Sequence, residues 1–329
     1  MSRPDSLPAI YHIMSPEISI IVRAYNEERH LGRLLEGILQ QSVKDVQVVL
    51  VDSGSSDGTL VVAAKYPVEV VHIQPDDFTF GRSLNLGIAQ ARAERLVFAS
   101  AHVYPVYPDW LERLVEPLDD PHVALTYGKQ RGGQTTKFSE HQIFASWFPD
   151  RPQPRQAHPF CNNANAAIRK ELWQLHPYDE TLPGLEDLAW ARWAVESGYA
   201  VSYTPEAEVI HVHNETPRGV YNRYRREGMA FKHIYPLERF GLNDLLRLYL
   251  TNVFSDLRAA AGQQRLGASW RSILWFRWMQ FRGTYQGYRQ AGPLTWQLRQ
   301  AFYYPPSSNQ AGGRRQRDVE PIWYNEKTG

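Results

Sequence analysis

Asp52 follows the nearly all-apolar run Val46-Gln47-Val48-Val49-Leu50-Val51 and opens Asp52-Ser53-Gly54-Ser55-Ser56-Asp57-Gly58-Thr59. The loop is built of small, turn-forming residues, so a flat ligand can approach its backbone. Ligands of open parallel sheets bind beyond the carboxyl ends of the strands, which is where a carboxylate directly after a buried strand stands. The loop is neither a G-x-G-x-x-G nor a G-x-x-x-x-G-K-[ST] phosphate cradle. Alone it reads equally well as a plain turn into a helix. A second loop, Ala24-Tyr25-Asn26-Glu27-Glu28, follows another strand-like run and changes that balance. Farther on, Glu186-Asp187 sets two carboxylates in the first turn of an expected helix, where the helix dipole favours their ionised form.

The elements that must position these groups are legible in the first third. Glu17 to Arg23 reads as a buried strand, and Leu31, Leu34, Leu35 and Ile38 mark one face of a helix. Val46 to Val51 is the next strand, and strand, helix, strand over this length is a βαβ unit with a parallel sheet. A helix from Leu60 to Lys65, a strand from Val68 to Ile73, a helix from Arg82 to Arg92 and a strand from Leu96 to Ala99 continue a doubly wound, mostly parallel α/β sheet flanked by helices. Beyond residue 105 the pattern is mixed. Pro149 to Pro159 contains four prolines and reads as a mobile loop. Asn165 to Leu175 reads as a helix. Glu186 to Ser197 reads as a stronger one, ended by Gly198. Ala200 to Tyr203 and Ala207 to Val212 read as two short strands. Tyr221 to Phe231, Leu242 to Ala261 and Ser269 to Gln290 read as helices, and the last 25 or so residues as a poorly ordered tail.

Composition narrows the classes. The 329 residues are 43% hydrophobic, which excludes wholesale disorder. The single cysteine, Cys161, excludes a disulfide framework and a cysteine-based zinc cluster. No run of about 18 apolar residues is present, so no membrane-spanning helix is expected. The N-terminus lacks a secretory signal pattern, and the expected location is cytoplasmic. The net charge of +1 conceals an asymmetry: residues 218 to 300 carry +10 and residues 1 to 217 carry −10.

The motifs in order resemble the nucleotide-sugar half of family 2 glycosyltransferases, which have the GT-A type of fold. They are Ile18 to Glu27, Val51 to Thr59, Phe80-Gly81-Arg82-Ser83-Leu84-Asn85-Leu86-Gly87, Ala99-Ser100-Ala101-His102-Val103-Tyr104-Pro105, Asn162-Asn163-Ala164-Asn165-Ala166-Ala167-Ile168 and Leu185-Glu186-Asp187-Leu188. The similarity spans about residues 17 to 215 and is nearest to the bacterial rhamnosyltransferase-like branch. This implies a tail at 1–16, a catalytic domain at 17–215, a basic aromatic helical region at 216–300 and a tail at 301–329.

The resemblance implies an inverting transfer of a sugar from a UDP- or dTDP-linked donor to a hydroxyl of a glycan or lipid-linked acceptor. Asp52 matches the carboxylate that accepts the pyrimidine N3–H, with Ser53 beside it. Ala24, Tyr25 and Asn26 flank the base, with Glu27 close to it. Asp57 matches the second acid of the loop, or caps the next helix. Arg82 and Asn85 fall on the donor side, Arg82 toward the diphosphate. Asp187, beside Glu186, matches the general base. Asn162, Asn163 and Asn165 offer amides to sugar hydroxyls.

One departure bears on the cofactor. The family's D-x-D positions hold Ser100-Ala101-His102 here. Polypeptide N-acetylgalactosaminyltransferases of animals place a histidine at the last position as a metal ligand, joined by a second one from later in the chain. His211 and His213 are candidates, since residues i and i+2 of a strand share a face. Imidazole in place of carboxylate predicts a site that holds Mg²⁺ less well than Mn²⁺ or another borderline cation. Without a cation, the diphosphate would fall to Arg82, Arg223, Arg225 or Arg226.

Arg271, Arg282 and Arg289 are spaced to share one face of the aromatic-rich last helix, which suits an anionic membrane surface on the inner face of the plasma membrane, a core helix or a dimer surface. Nothing matches a nucleic-acid recognition motif. The competing reading is a non-catalytic glycan-binding or scaffold protein of the same fold.

Overall fold

The computed structural model describes residues 16–289, 317 and 319–324. Eight strands form one sheet in the order β3-β2-β1-β4-β7-β6-β8-β5. They are β1 (Ile18–Ala24), β2 (Val46–Asp52), β3 (Val68–His72), β4 (Arg95–Ser100), β5 (Val103–Pro105), β6 (Val123–Gly132), β7 (Asn165–Arg169) and β8 (Ala200–His211). The first four pair in parallel, β7 is antiparallel to β4 and β6, β6 is parallel to β8, and β5 closes antiparallel to β8. Helices α1 (Leu31–Leu39), α2 (Thr59–Ala63), α3 (Phe80–Gln90), α4 (Trp110–Val115), α5 (Phe138–Trp147), α6 (Lys170–Leu175) and α7 (Glu186–Glu196) flank it. Successive strand side chains point to opposite faces. Ile20, Val22 and Leu50 therefore pack with α1 and α4, while Ile21, Val51 and Phe98 pack with α3 and α7.

The chain turns from one side of β1 to the other between β3 and β4, so the carboxyl ends of β1 and β4 form a switch point. Gly87 lets α3 sit close there: a Cβ would lie 2.6 Å from Ile21 and 2.9 Å from Val51.

Four expectations are corrected. Asn165 to Arg169 is a strand, not the start of a helix; between β4 and β7's other neighbour β6, sheet pairing on both sides outweighs the helix propensity of its alanines. The two short strands are one long one, because Pro205 falls where the β6–β8 register shifts and no ladder N–H is needed. The proline-rich loop is held to that strand: Gln153 and Tyr203 exchange backbone hydrogen bonds, and Gln156 N–H donates to the Val201 carbonyl. The C-terminal tail is in part docked. Ile322 N–H donates to the Val106 carbonyl, the Tyr324 hydroxyl to the Pro105 carbonyl, and Arg317 to Asp109 and the Glu206 carbonyl. The remaining residues of both tails lie outside the described residues.

Three longer helices follow: α8 (Pro217–Ile234), α9 (Leu242–Gly262) and α10 (Leu266–Arg289). α8 and α10 cross backbone to backbone, because a Cβ on Gly283 would lie 2.5 Å from the Tyr221 carbonyl and one on Gly287 2.3 Å from that of Arg225. Arg277 of α10 is buried in a bidentate pair with Asp256 of α9, at 2.7 and 3.0 Å.

Candidate active site

At the switch point the loops after β1 and β2 are stitched together. Asn26 takes the left-handed conformation (φ 56°), which its short polar side chain tolerates. Its Oδ1 accepts from Ser56 N–H at 2.8 Å, while Glu27 N–H donates to Thr59 Oγ1 at 2.7 Å and Glu28 N–H to Asp57 at 3.1 Å. Asp52 is buried and accepts the N–H groups of Gly54 and Ser55. Asp57 accepts from Thr59 N–H at 3.0 Å, at the start of α2.

Beside these loops lies a cavity of about 590 Å³. One wall is imidazole. The His102 ring lies 5.0 Å from His211 and 5.8 Å from His213, and those two are 4.0 Å apart. One potential ligand atom from each lies within 4.8 Å of the others. Each Nδ1 already faces an acceptor at 2.7 Å: Glu27 for His102, Gln130 for His211, Glu140 for His213. A carboxylate or an amide oxygen can only accept, so each Nδ1 carries a proton and Nε2 is the ring nitrogen turned away from these partners. His211 Nε2 is buried with no hydrogen-bond partner. Burial lowers the pKa of His211 well below its ordinary value and that of His213 less, so both stay neutral. Burial opposes the charge of Glu140, yet Arg223 and His213 hold its carboxyl down to about 2. Imidazoles with Nδ1 pinned by outer acceptors fit a divalent cation.

The opposite chemistry sits at the start of α7. Leu185 is left-handed (φ 54°), a strained conformation for a bulky residue, and it turns Glu186 and Asp187 toward the cavity. Asp187 accepts the N–H of Asn163 at 3.0 Å and of Leu188 at 2.8 Å. Burial first, then the neighbouring Glu186 charge, push its carboxyl up to about 7; Arg23 opposes them. This corrects the expectation that the helix dipole keeps it an ordinary ionised acid, because desolvation of a buried group outweighs the dipole. Glu186 pairs with Arg23 at 2.9 Å.

The phenyl ring of Phe80 is stacked by two guanidiniums, Arg23 at 4.9 Å and Arg226 at 4.7 Å. Arg223, also in the cavity wall, is bound to Glu140 and Glu215, both at 2.6 Å. Arg226 makes no ion pair with a carboxylate among the described residues.

Residues 19–175 match the model described as glycosyl transferase family 2. The chain carries a family 2 glycosyltransferase domain. It is 27% identical over 226 residues to an O-antigen chain rhamnosyltransferase of Salmonella typhimurium, covering 65% of this chain and 72% of that one. A mannosyltransferase from Pyrobaculum calidifontis, solved with GDP-Man and Mn²⁺, superposes with a TM-score of 0.56 at 20% identity, over 82% of this chain and 86% of that one. The S. aureus TarS 1–349 structure with UDP-GlcNAc gives a TM-score of 0.52 at 17% identity, over 82% and 91%. The protein is therefore a glycosyltransferase of the GT-A fold with added C-terminal helices.

In this glycosyltransferase, Asn26, Glu27, His102, Asn162, Asn163, Glu186, Asp187, His211 and His213 line the same cavity. Asp52, Ser53 and Asp57 lie in the adjoining loops, with Ala24 buried and Tyr25 58% exposed beside them. Ala101, beside His102 in the same turn, is buried. Three residues fall outside. Arg82 is exposed in the first turn of α3. Asn85 binds Tyr178, Glu180 and Trp173, and Asn165 binds Lys129, Ala207 and Trp110, so both amides tie the fold together. The amide of Asn163 is buried without a hydrogen-bond partner. Glu27 turns onto His102. The sequence reading missed Arg23, Phe80, Gln130, Glu140 and Glu215, and named Arg223 and Arg226 only as partners of the diphosphate, both of which do line the cavity.

Proposed function

We propose that the protein is an inverting glycosyltransferase acting on a nucleotide diphosphate-sugar, UDP- or dTDP-linked, in surface polysaccharide or glycolipid synthesis. The observation that supports this most is Asp187, a buried carboxyl of raised pKa in the same cavity as three converging imidazoles. The base lies over the loops at Asp52 and Tyr25, Asp52 taking the N3–H. Asp187 accepts the proton of the acceptor hydroxyl as its oxygen bonds to the anomeric carbon. The bond from that carbon to the phosphate oxygen breaks on the opposite face, and the nucleoside diphosphate leaves. A pKa near the working pH suits a general base, which contributes about 10² to 10⁴ in rate. Glu186 and Arg23 hold the start of α7 in place.

His102, His211 and His213 would hold a divalent cation through Nε2. Bound there, it supplies positive charge against the leaving diphosphate. Mn²⁺ is the expected ion, the one solved together with GDP-Man in the Pyrobaculum mannosyltransferase. Arg226, over Phe80, adds a second positive charge. Asn162 and Asn163 face the acceptor sugar, and a lipid-linked acceptor brings the enzyme to an anionic membrane surface. No helix among the described residues is long and apolar enough to cross a membrane.

The test is thermal stabilisation by UDP, dTDP, GDP and their sugars, each with Mn²⁺, Mg²⁺ or chelator. A ligand at 100 times its Kd adds about 2.7 kcal/mol. Stabilisation by UDP or dTDP species with Mn²⁺ is expected. Stabilisation that ignores chelator moves the diphosphate to the arginines, and no shift with any nucleotide favours a non-catalytic protein.

A further inference from the structure

The surface of α9 and α10 differs from the rest of the molecule in two ways. Leu242, Leu246, Leu250 and Phe254, spaced four apart along α9, are 55, 45, 63 and 69% exposed. Side chains at i and i+4 are neighbours on a helix, so these form one continuous apolar stripe. Leu237 before α9 and Trp270 and Trp278 on α10 are exposed as well. The second difference is charge. Between residues 235 and 289, Arg239, Arg247, Arg258, Arg265, Arg271, Arg282 and Arg289 are exposed, and no carboxylate is. The acids of this stretch are Glu238 and Asp256, both buried, and Asp244, half-buried and paired with Arg247.

We propose that the α9 stripe and its arginine surround dock on an anionic lipid bilayer, the helix lying in the plane of the headgroups. The chemistry favours lipid over a second copy of the chain. Two such surfaces face to face would set arginines against arginines with no exposed acid to pair them, whereas anionic headgroups complement both features at once. Of the α10 rings only Trp270 and Trp278 are exposed, so the longer exposed apolar run is that of α9. Phe276 and Phe281 point into the core, and Tyr249 and Trp278 pack against each other. The inference gives the membrane partner named above its surface, and it stands or falls apart from the transfer reaction.

The experiment is flotation of the purified protein with phosphatidylglycerol vesicles and with phosphatidylcholine vesicles, at low and at high salt. Binding to the anionic vesicles alone, weakened by salt, is expected. The double variant Leu250→Gln/Phe254→Gln should lose tenfold or more in vesicle affinity with its melting curve unchanged, since both side chains are exposed. Arg247→Gln/Arg258→Gln should lose the salt-sensitive part. No binding to anionic vesicles overturns the proposal, as does binding that both variants retain. A dimer in solution that the Leu250→Gln/Phe254→Gln pair abolishes, without vesicle binding, assigns the stripe to a second copy and also overturns it. Nucleotide-induced stabilisation, measured on the same variants, should be unaffected and keeps this outcome separate from the donor site.

Discussion

The loops after β1 and β2 and the cavity beside them are both polar, but they use their polar groups differently. In the loops Asn26, Asp52 and Asp57 all bind backbone N–H groups of the loops themselves. In the cavity wall His211 Nε2 and the Asn163 amide have no protein partner among the described residues, and Arg226 no carboxylate. Satisfied side chains shape a surface; unsatisfied ones are available to a ligand. The motif richest in sequence signal is thus a scaffold as much as a site, and the cavity holds the groups with capacity left over.

Four changes would break or sharpen that contrast. Asp187→Asn should lower kcat by about 10²-fold or more with KM for the donor little changed; near-normal turnover would refute the base. His211→Ala should abolish Mn²⁺ binding by calorimetry. Gln130→Leu, which leaves no charge unpaired, should weaken it about 10- to 100-fold, as loss of an outer partner does. If both variants bind Mn²⁺ normally, the imidazole wall is only structural. The third is a pH effect. The Asp187 carboxyl is raised in the fold, so the folded chain holds its proton to higher pH than the unfolded one and loses stability as pH rises from about 4 to about 7. The melting temperature of Asp187→Asn relative to the parent should therefore climb across that window; a flat difference would mean the carboxyl is not shifted. Smallest, Asp57→Ala should cost about 1 kcal/mol by freeing the N–H of Thr59, with catalysis otherwise intact. A loss of donor binding instead would make Asp57 a ligand group rather than a brace.

The first four strands were legible because each is a β-branched run cut off by polar turn residues. The four helices from Glu186 onward were legible as well, and the stretch between residues 105 and 185 was not, for reasons visible in particular residues. Ala166 and Ala167 suit a helix in isolation and become a strand only because β4 and β6 lie on either side. β6 and α5 went unassigned, and they bring Gln130 and Glu140 to the imidazoles from more than 70 positions away in sequence. Glu186 and Asp187 were readable as a pair, but the raised Asp187 acidity depends on burial that a linear pattern does not express. Asn85 matched a motif, but its amide is held by Tyr178, Glu180 and Trp173 here.

The docked C-terminal segment has a consequence for how the molecule is made. Arg317, Ile322 and Tyr324 grip residues 105 to 109, immediately after the short strand that leads away from His102. During synthesis this grip comes only after every other described element has left the ribosome, since domains generally assemble from the N-terminus onward. The β5 edge of the sheet is thus closed after the loops that follow β1 and β2 have formed.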